Sequence, residues 1–143
     1  MATIKRFEEI KVWQEARELA KMVYNATSQG GLAKDFGLKE QIQRAAVSVG
    51  SNIAEGFARN GNKEFVKFLW IAKGSATEVQ SQLYTAMDVG YITDAEFKTI
   101  TDAEFKTIYE KAESCNLLIY RFIRSLRSSE YSGERYKRVV GEV

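Results

Sequence analysis

Gln41–Phe57, QIQRAAVSVGSNIAEGF, is the stretch whose reading decides the fold. At 3.6 residues per turn, Ile42, Ala45, Ala46, Val49, Ile53 and Gly56 fall on one helical face. Arg44, Ser48, Asn52, Glu55 and Arg59 form a polar stripe roughly opposite, and Val47, Gly50 and Ala54 fill the flank. Only a narrow strip is suited to water, so most of this helix must be covered by protein. Its many Ala, Ser and Gly residues let neighbouring helices come close. The spacing predicts a central packing helix with no reaction centre.

Working outward, the same periodicity recurs on both sides. From Phe7 to Ser28, Val12, Ala16, Leu19, Val23 and Ala26 line a stripe, with Trp13, Ala20 and Tyr24 beside it. Ser28-Gln29-Gly30-Gly31 is read as a helix stop, followed by a loop through Asp35 and Gly37 into a helix over 38–59. Asn60-Gly61-Asn62 is a short polar turn of the kind that joins antiparallel helices. Beyond it, Phe65, Phe68, Leu69, Ala72, Ala76, Val79, Leu83 and Ala86 predict a helix over 62–89. Val66, Trp70 and Tyr84 lie off that stripe, which marks a second contact surface.

ITDAEFKT then occurs twice in tandem, at 92–99 and 100–107. Each copy carries a capping box (Thr93 with Glu96, Thr101 with Glu104) and a hydrophobic staple (Ile92 with Phe97, Ile100 with Phe105). The fourth helix therefore starts at 93 or at 101 and runs to 127, its stripe formed by Phe105, Ile108, Ala112, Cys115, Ile119, Phe122 and Leu126. The earlier start is preferred because nothing within either copy breaks a helix, although eight residues rotate a helix by about 80° and move Phe97 off the stripe of Phe105. Residues 128–143 have no sustained stripe and read as a mobile tail, and residues 1–6 as a basic lead.

The whole predicts an all-α, antiparallel up-down-up-down four-helix bundle in one domain over 1–127. Copies are expected to associate through the flanks bearing Val47, Ala54, Val66, Trp70 and Tyr84.

Composition narrows the chemistry. There is no histidine in 143 residues, which excludes Ser-His-Asp and Cys-His catalysis and imidazole metal sites. No carboxylate pair stands at a recognisable catalytic spacing, so neither an enzyme, a cofactor nor a small-molecule substrate is expected. The single cysteine, Cys115, excludes an intrachain disulfide and continues a core stripe. Nothing reads as a signal peptide or membrane span, so a cytoplasmic protein is expected.

Lys and Arg number 21 against 19 Asp and Glu, so any nucleic-acid role requires clustering. Arg121, Arg124 and Arg127 recur every three residues, and Arg59, Lys63 and Lys67 surround the second inter-helix turn; Arg44 is a further candidate. These cations are the candidate contacts for RNA or DNA phosphate. The bland account of the first cluster is that cations suit a helix C-terminus. For the polar stripe it is that Glu55 pairs with Arg59 while Ser48 and Asn52 bridge helices. Trp13, Tyr24, Trp70 and Tyr84 could offer a base-stacking platform, but such rings more often fill cores and subunit contacts.

VWQEARELA, FGLKEQIQRAAVSVGSNIAEG and FLWIAKGSATEVQSQL together resemble the four-helix-bundle proteins encoded in intervening sequences of bacterial large-subunit ribosomal RNA genes. More distantly, they are similar to accessory proteins of diversity-generating retroelements, which bind nucleic acid beside a reverse transcriptase. The resemblance implies a ring-shaped homo-oligomer, usually a homopentamer, of undefined biochemical role. Two roles stay open: a non-catalytic nucleic-acid-associated protein, and a scaffold whose oligomer recruits a protein partner. Gln43 stands where the family usually carries the first of two arginines.

Overall fold

A computed structural model describes residues 4–92 and 102–128. Among these residues are five helices, α1 (Lys11–Thr27), α2 (Gly30–Lys34), α3 (Phe36–Ala58), α4 (Asn62–Asp88) and α5 (Asp102–Arg127), with a 3-10 turn at Phe7–Glu9. No strand occurs among the described residues. The four long helices meet in the cyclic order α1, α3, α4, α5, so α1–α3 and α4–α5 form opposite sides of a four-cornered bundle.

Every adjacent pair is antiparallel. Thr27 is bonded by Gln43, whereas Trp13 lies against Gly50. Gly56 meets Phe65 and Phe68 across the second turn. Trp70 packs near Tyr120, and Tyr84 near Phe105. Lys111 reaches Glu15 at 2.9 Å.

The buried face of α3 consists of Ile42, Ala45, Ala46, Val49, Ile53 and Gly56, the six residues that the periodicity selects. The stripes of α1 and α4 are buried likewise, except that Phe68 is half-buried. In α5 the stripe from Ile108 to Leu126 is buried, and Phe105 at its head is half-exposed.

Three local readings change. The expected helix over 7–28 is divided, because Ile10 adopts an extended backbone (φ −76°, ψ 120°) and is fully buried. The basic lead is docked at residue 4, since Ile4 belongs to the core. The Glu9 carboxylate accepts the backbone N–H groups of Lys5 and Arg6, at 2.7 and 2.9 Å, and these bonds hold it below the ordinary carboxylate range.

The Gly30-Gly31 stretch is a single short helix rather than a loop, entered with Gly30 at φ 57° and anchored by buried Leu32. The central helix therefore starts at Phe36, because Asp35 caps it by accepting the Leu38 N–H at 3.1 Å. The second ITDAEFKT copy leads into α5 at Asp102. The choice of start within the first copy, and the tail over 129–143, lie outside the described residues.

Candidate nucleic-acid interface and assembly faces

Antiparallel packing brings the ends of α3 and α5 beside the starts of α1 and α4. The two cation clusters thus share one end of the bundle: Arg59, Lys63 and Lys67 from the α3–α4 turn, and Arg121, Arg124 and Arg127 from α5. Lys5, Arg6 and Lys11 lie at the same end, offset in part by Glu8, Glu9, Glu55 and Glu64. The opposite end carries Asp35, Glu40, Asp88, Asp102 and Glu104, offset in part by Lys34, Lys39, Arg44 and Lys106. A nearly neutral chain is therefore charged unequally along its length.

The cations differ in what already holds them. Arg59 pairs with Glu55 at 3.2 Å and lies over the Phe68 ring at 5.0 Å, so the i,i+4 pairing is present. Arg127 stacks 5.5 Å above Trp70. Lys63, Lys67, Arg121 and Arg124 are exposed and form no ion pair with any described residue. Arg44 does not join them. It sits toward the other end, level with the last turn of α1, where it pairs with Glu40.

Position along the helix separates these residues further. Arg124 and Arg127 occupy the last turn of α5, where the helix dipole favours cations, so the bland account covers them. Lys63 occupies the first turn of α4, at the positive end of its dipole, where a cation is disfavoured, and Lys67 lies one turn further on. The dipole therefore gives no reason for Lys63, unlike Arg124 and Arg127.

The remaining polar stripe is structural. Ser75 donates to Ser48 at 2.9 Å across α3 and α4, and Asn52 donates back to the Ser48 hydroxyl and carbonyl at 2.8 Å. The four rings of the supposed stacking platform do not converge. Trp13 packs edge-on against Phe7 beside α1, while Trp70 and Tyr84 lie in the α4–α5 seam. Antiparallel topology places these faces on opposite sides, which spacing along the chain does not disclose. Tyr120 is a ring that the stripes did not single out; it sits 6.5 Å from Trp70 and is 43% exposed. An exposed aromatic off the core stripe, as at Trp70, is the signal that would have found it.

Cys115 is fully buried, and burial pushes its thiol up to about 12, with a smaller upward push from Glu15. No cluster of Cys, Asp or Glu able to hold a metal occurs among the described residues, and no described helix is long and apolar enough to cross a membrane.

Residues 8–108 match the profile of the family described as 23S rRNA-intervening sequence protein. The chain belongs to that family. A crystal structure of a protein with unknown function from the S23 ribosomal protein family of Bacteroides thetaiotaomicron VPI-5482 shares the fold, with a TM-score of 0.67. That protein is 24% identical, and the alignment covers 79% of the present chain and 98% of its own. No relative was found among curated proteins. Within this intervening-sequence protein, the matched span holds α1 to α4 and the first turns of α5, and so includes Lys63 and Lys67 but not the α5 arginines.

Proposed function

We propose that this intervening-sequence protein is a non-catalytic, self-associating bundle that holds RNA or DNA by its phosphates at the basic end. The observation that carries the reading is the placement of Lys63 and Lys67. Both are exposed near the start of α4, at the same end of the bundle as Arg121 and Arg124 from another helix. Exposed cations gathered at one end from separate elements are accounted for by an external anion. None of the four is held by a carboxylate among the described residues, so binding phosphate breaks no internal pair.

Contacts of this type position a polyanion without reading bases. A ring of copies, pentameric as the family resemblance implies, would repeat the basic end on one rim and multiply the number of phosphates engaged. The scaffold reading draws its support from the exposed rings of the α4–α5 seam, which are equally served by contact between copies.

Fluorescence anisotropy with labelled single-stranded RNA and DNA, titrated with salt, tests the proposal. Binding at low salt should fall steeply as salt rises, with a log–log slope that becomes shallower in Lys63→Ala/Lys67→Ala and in Arg121→Ala/Arg124→Ala. Absence of binding at low salt, or slopes unchanged in both variants, would overturn it.

A further inference from the structure

Two surfaces on opposite sides of the bundle are unlike each other, and their difference determines how copies can meet. The α4–α5 seam carries exposed rings, Trp70 at 39% and Tyr120 at 43%, with Glu113 further along the same seam. The α1–α3 side carries instead an open groove of about 520 Å³, lined by Tyr24, Glu40, Gln43, Arg44, Val47, Ser48 and Ser51. Its outer α3 positions continue to Ala54, one heptad beyond Val47, so the wall is small from Ser51 to Ala54 and polar from Glu40 to Arg44.

We infer that the α4–α5 seam of one copy seats on the α1–α3 groove of the next, a front-to-back contact between unlike faces. This rests on the self-associating reading above and adds to it which surfaces meet. Copies related by rotation alone, with bundles parallel to the axis, set equal heights opposite one another. Heights within the bundle follow from contacts between its helices. Ser48 is level with Ser75, Gly56 with Phe65 and Phe68, Gln80 with Glu113, and Trp70 with Tyr120.

On that scale Ser51 and Ala54 lie at the height of Trp70 and Tyr120, so rings face small residues. Arg44, one turn before Ser48, lies at the height of Glu113, so a cation faces a carboxylate. Arg44 already pairs with Glu40, but a guanidinium has five donors and takes a second carboxylate without releasing the first. Pairing like faces loses both matches. Seam on seam opposes ring to ring, and groove on groove leaves the space unfilled.

Variants with one added cysteine separate the possibilities. Ser51→Cys and Tyr120→Cys are prepared separately, mixed under conditions that allow subunit exchange, and treated with a short bis-maleimide. Buried Cys115 stays silent, which wild type verifies. The mixture should yield covalent dimers and neither variant alone should. In parallel, Arg44→Glu should weaken self-association at least tenfold by light scattering, and Arg44→Glu/Glu113→Arg should restore it. Linking within either single variant, or no linking in the mixture while wild type scatters as a multimer, overturns the front-to-back contact alone. A monomeric wild type overturns it together with the self-association reading, whereas phosphate binding is judged separately by anisotropy on the same sample.

Discussion

Gly56 and Phe68 are in close contact between α3 and α4: a Cβ at position 56 would stand 2.7 Å from the Phe68 Cβ and 2.9 Å from Phe65 Cδ1. The Phe65 carbonyl oxygen closes the third side at 3.3 Å. Phe65 is fully buried against Phe122, with ring centroids 5.1 Å apart, so it has no room to swing away. Gly56→Ala gains roughly 1 kcal/mol in helix propensity but forces the two helices apart, which costs ~1–3 kcal/mol in a packed core. Net destabilisation is expected, read as a lower midpoint in urea. Gly74 is the control. It lies in α4 with nothing within 4 Å of its would-be Cβ, so Gly74→Ala should stabilise by about 0.5–1 kcal/mol.

That contact also shows how far the sequence alone could be read. The apolar face ending at Gly56 is legible because six residues keep one helical period over about four turns. The five residues of α2 are too few to show a period, and their paired glycines argue for a loop until Leu32 is seen in the core. Ile10 reads as one more helical residue, since only tertiary burial reveals its extended backbone. The candidate site was legible as separate clusters. That Lys63 and Arg124 share an end, whereas Arg44 sits at the other, depends on which helices pair and in which direction.

The buried thiol gives a pH-dependent signature. The ordinary cysteine value is about 8.5, and in the folded chain Cys115 is raised to about 12. A raised folded value means that its contribution is fully present below the unfolded value and is lost as pH rises toward the folded one. Stability should therefore decline by roughly 1.4 kcal/mol per pH unit between these limits, because only the unfolded chain releases the proton. Lysines and tyrosines titrate in the same range, so the measurement is the difference between wild type and Cys115→Ala. The variant should be less stable at pH 7 through its cavity and should lose this part of the alkaline slope. Parallel slopes in the two proteins would contradict the assignment.

Between α4 and α5, Asn116 donates to the Gln80 side-chain oxygen at 3.3 Å and accepts from Thr77 at 3.4 Å. Gln80 in turn donates to the Tyr109 carbonyl at 3.4 Å. Both amides are buried, so truncating one strands the other. Asn116→Ala should cost ~1–3 kcal/mol, while Asn116→Leu/Gln80→Leu should recover much of that loss, since removing both partners leaves no unsatisfied amide. Denaturant titration of the three proteins reads the comparison, and a double variant weaker than the single one would show that the amides contribute more than mutual satisfaction.

The last expectation concerns Asp35, which serves two helices at once. One carboxylate oxygen accepts the Leu38 N–H at 3.1 Å and caps α3, and the other accepts the Tyr91 hydroxyl at 3.0 Å. The Tyr91 ring lies over Gly31, where a Cβ would come within 2.8 Å of it, so α2 is held beneath the chain leaving α4. The hydrogen bond to Asp35 keeps the Tyr91 phenol above its ordinary range, with smaller upward contributions from burial and from the carboxylate charge. Tyr91→Phe removes one bond and leaves the cap, for a loss of about 0.5–1.5 kcal/mol. Asp35→Ala removes both, and the cap alone accounts for about 1 kcal/mol. In Asp35→Ala/Tyr91→Phe the two losses should sum to less than their separate values, because each single variant breaks the same bond. Strict additivity in the double-mutant cycle would mean that the phenol contributes nothing to fastening α2 and α3 to the end of α4.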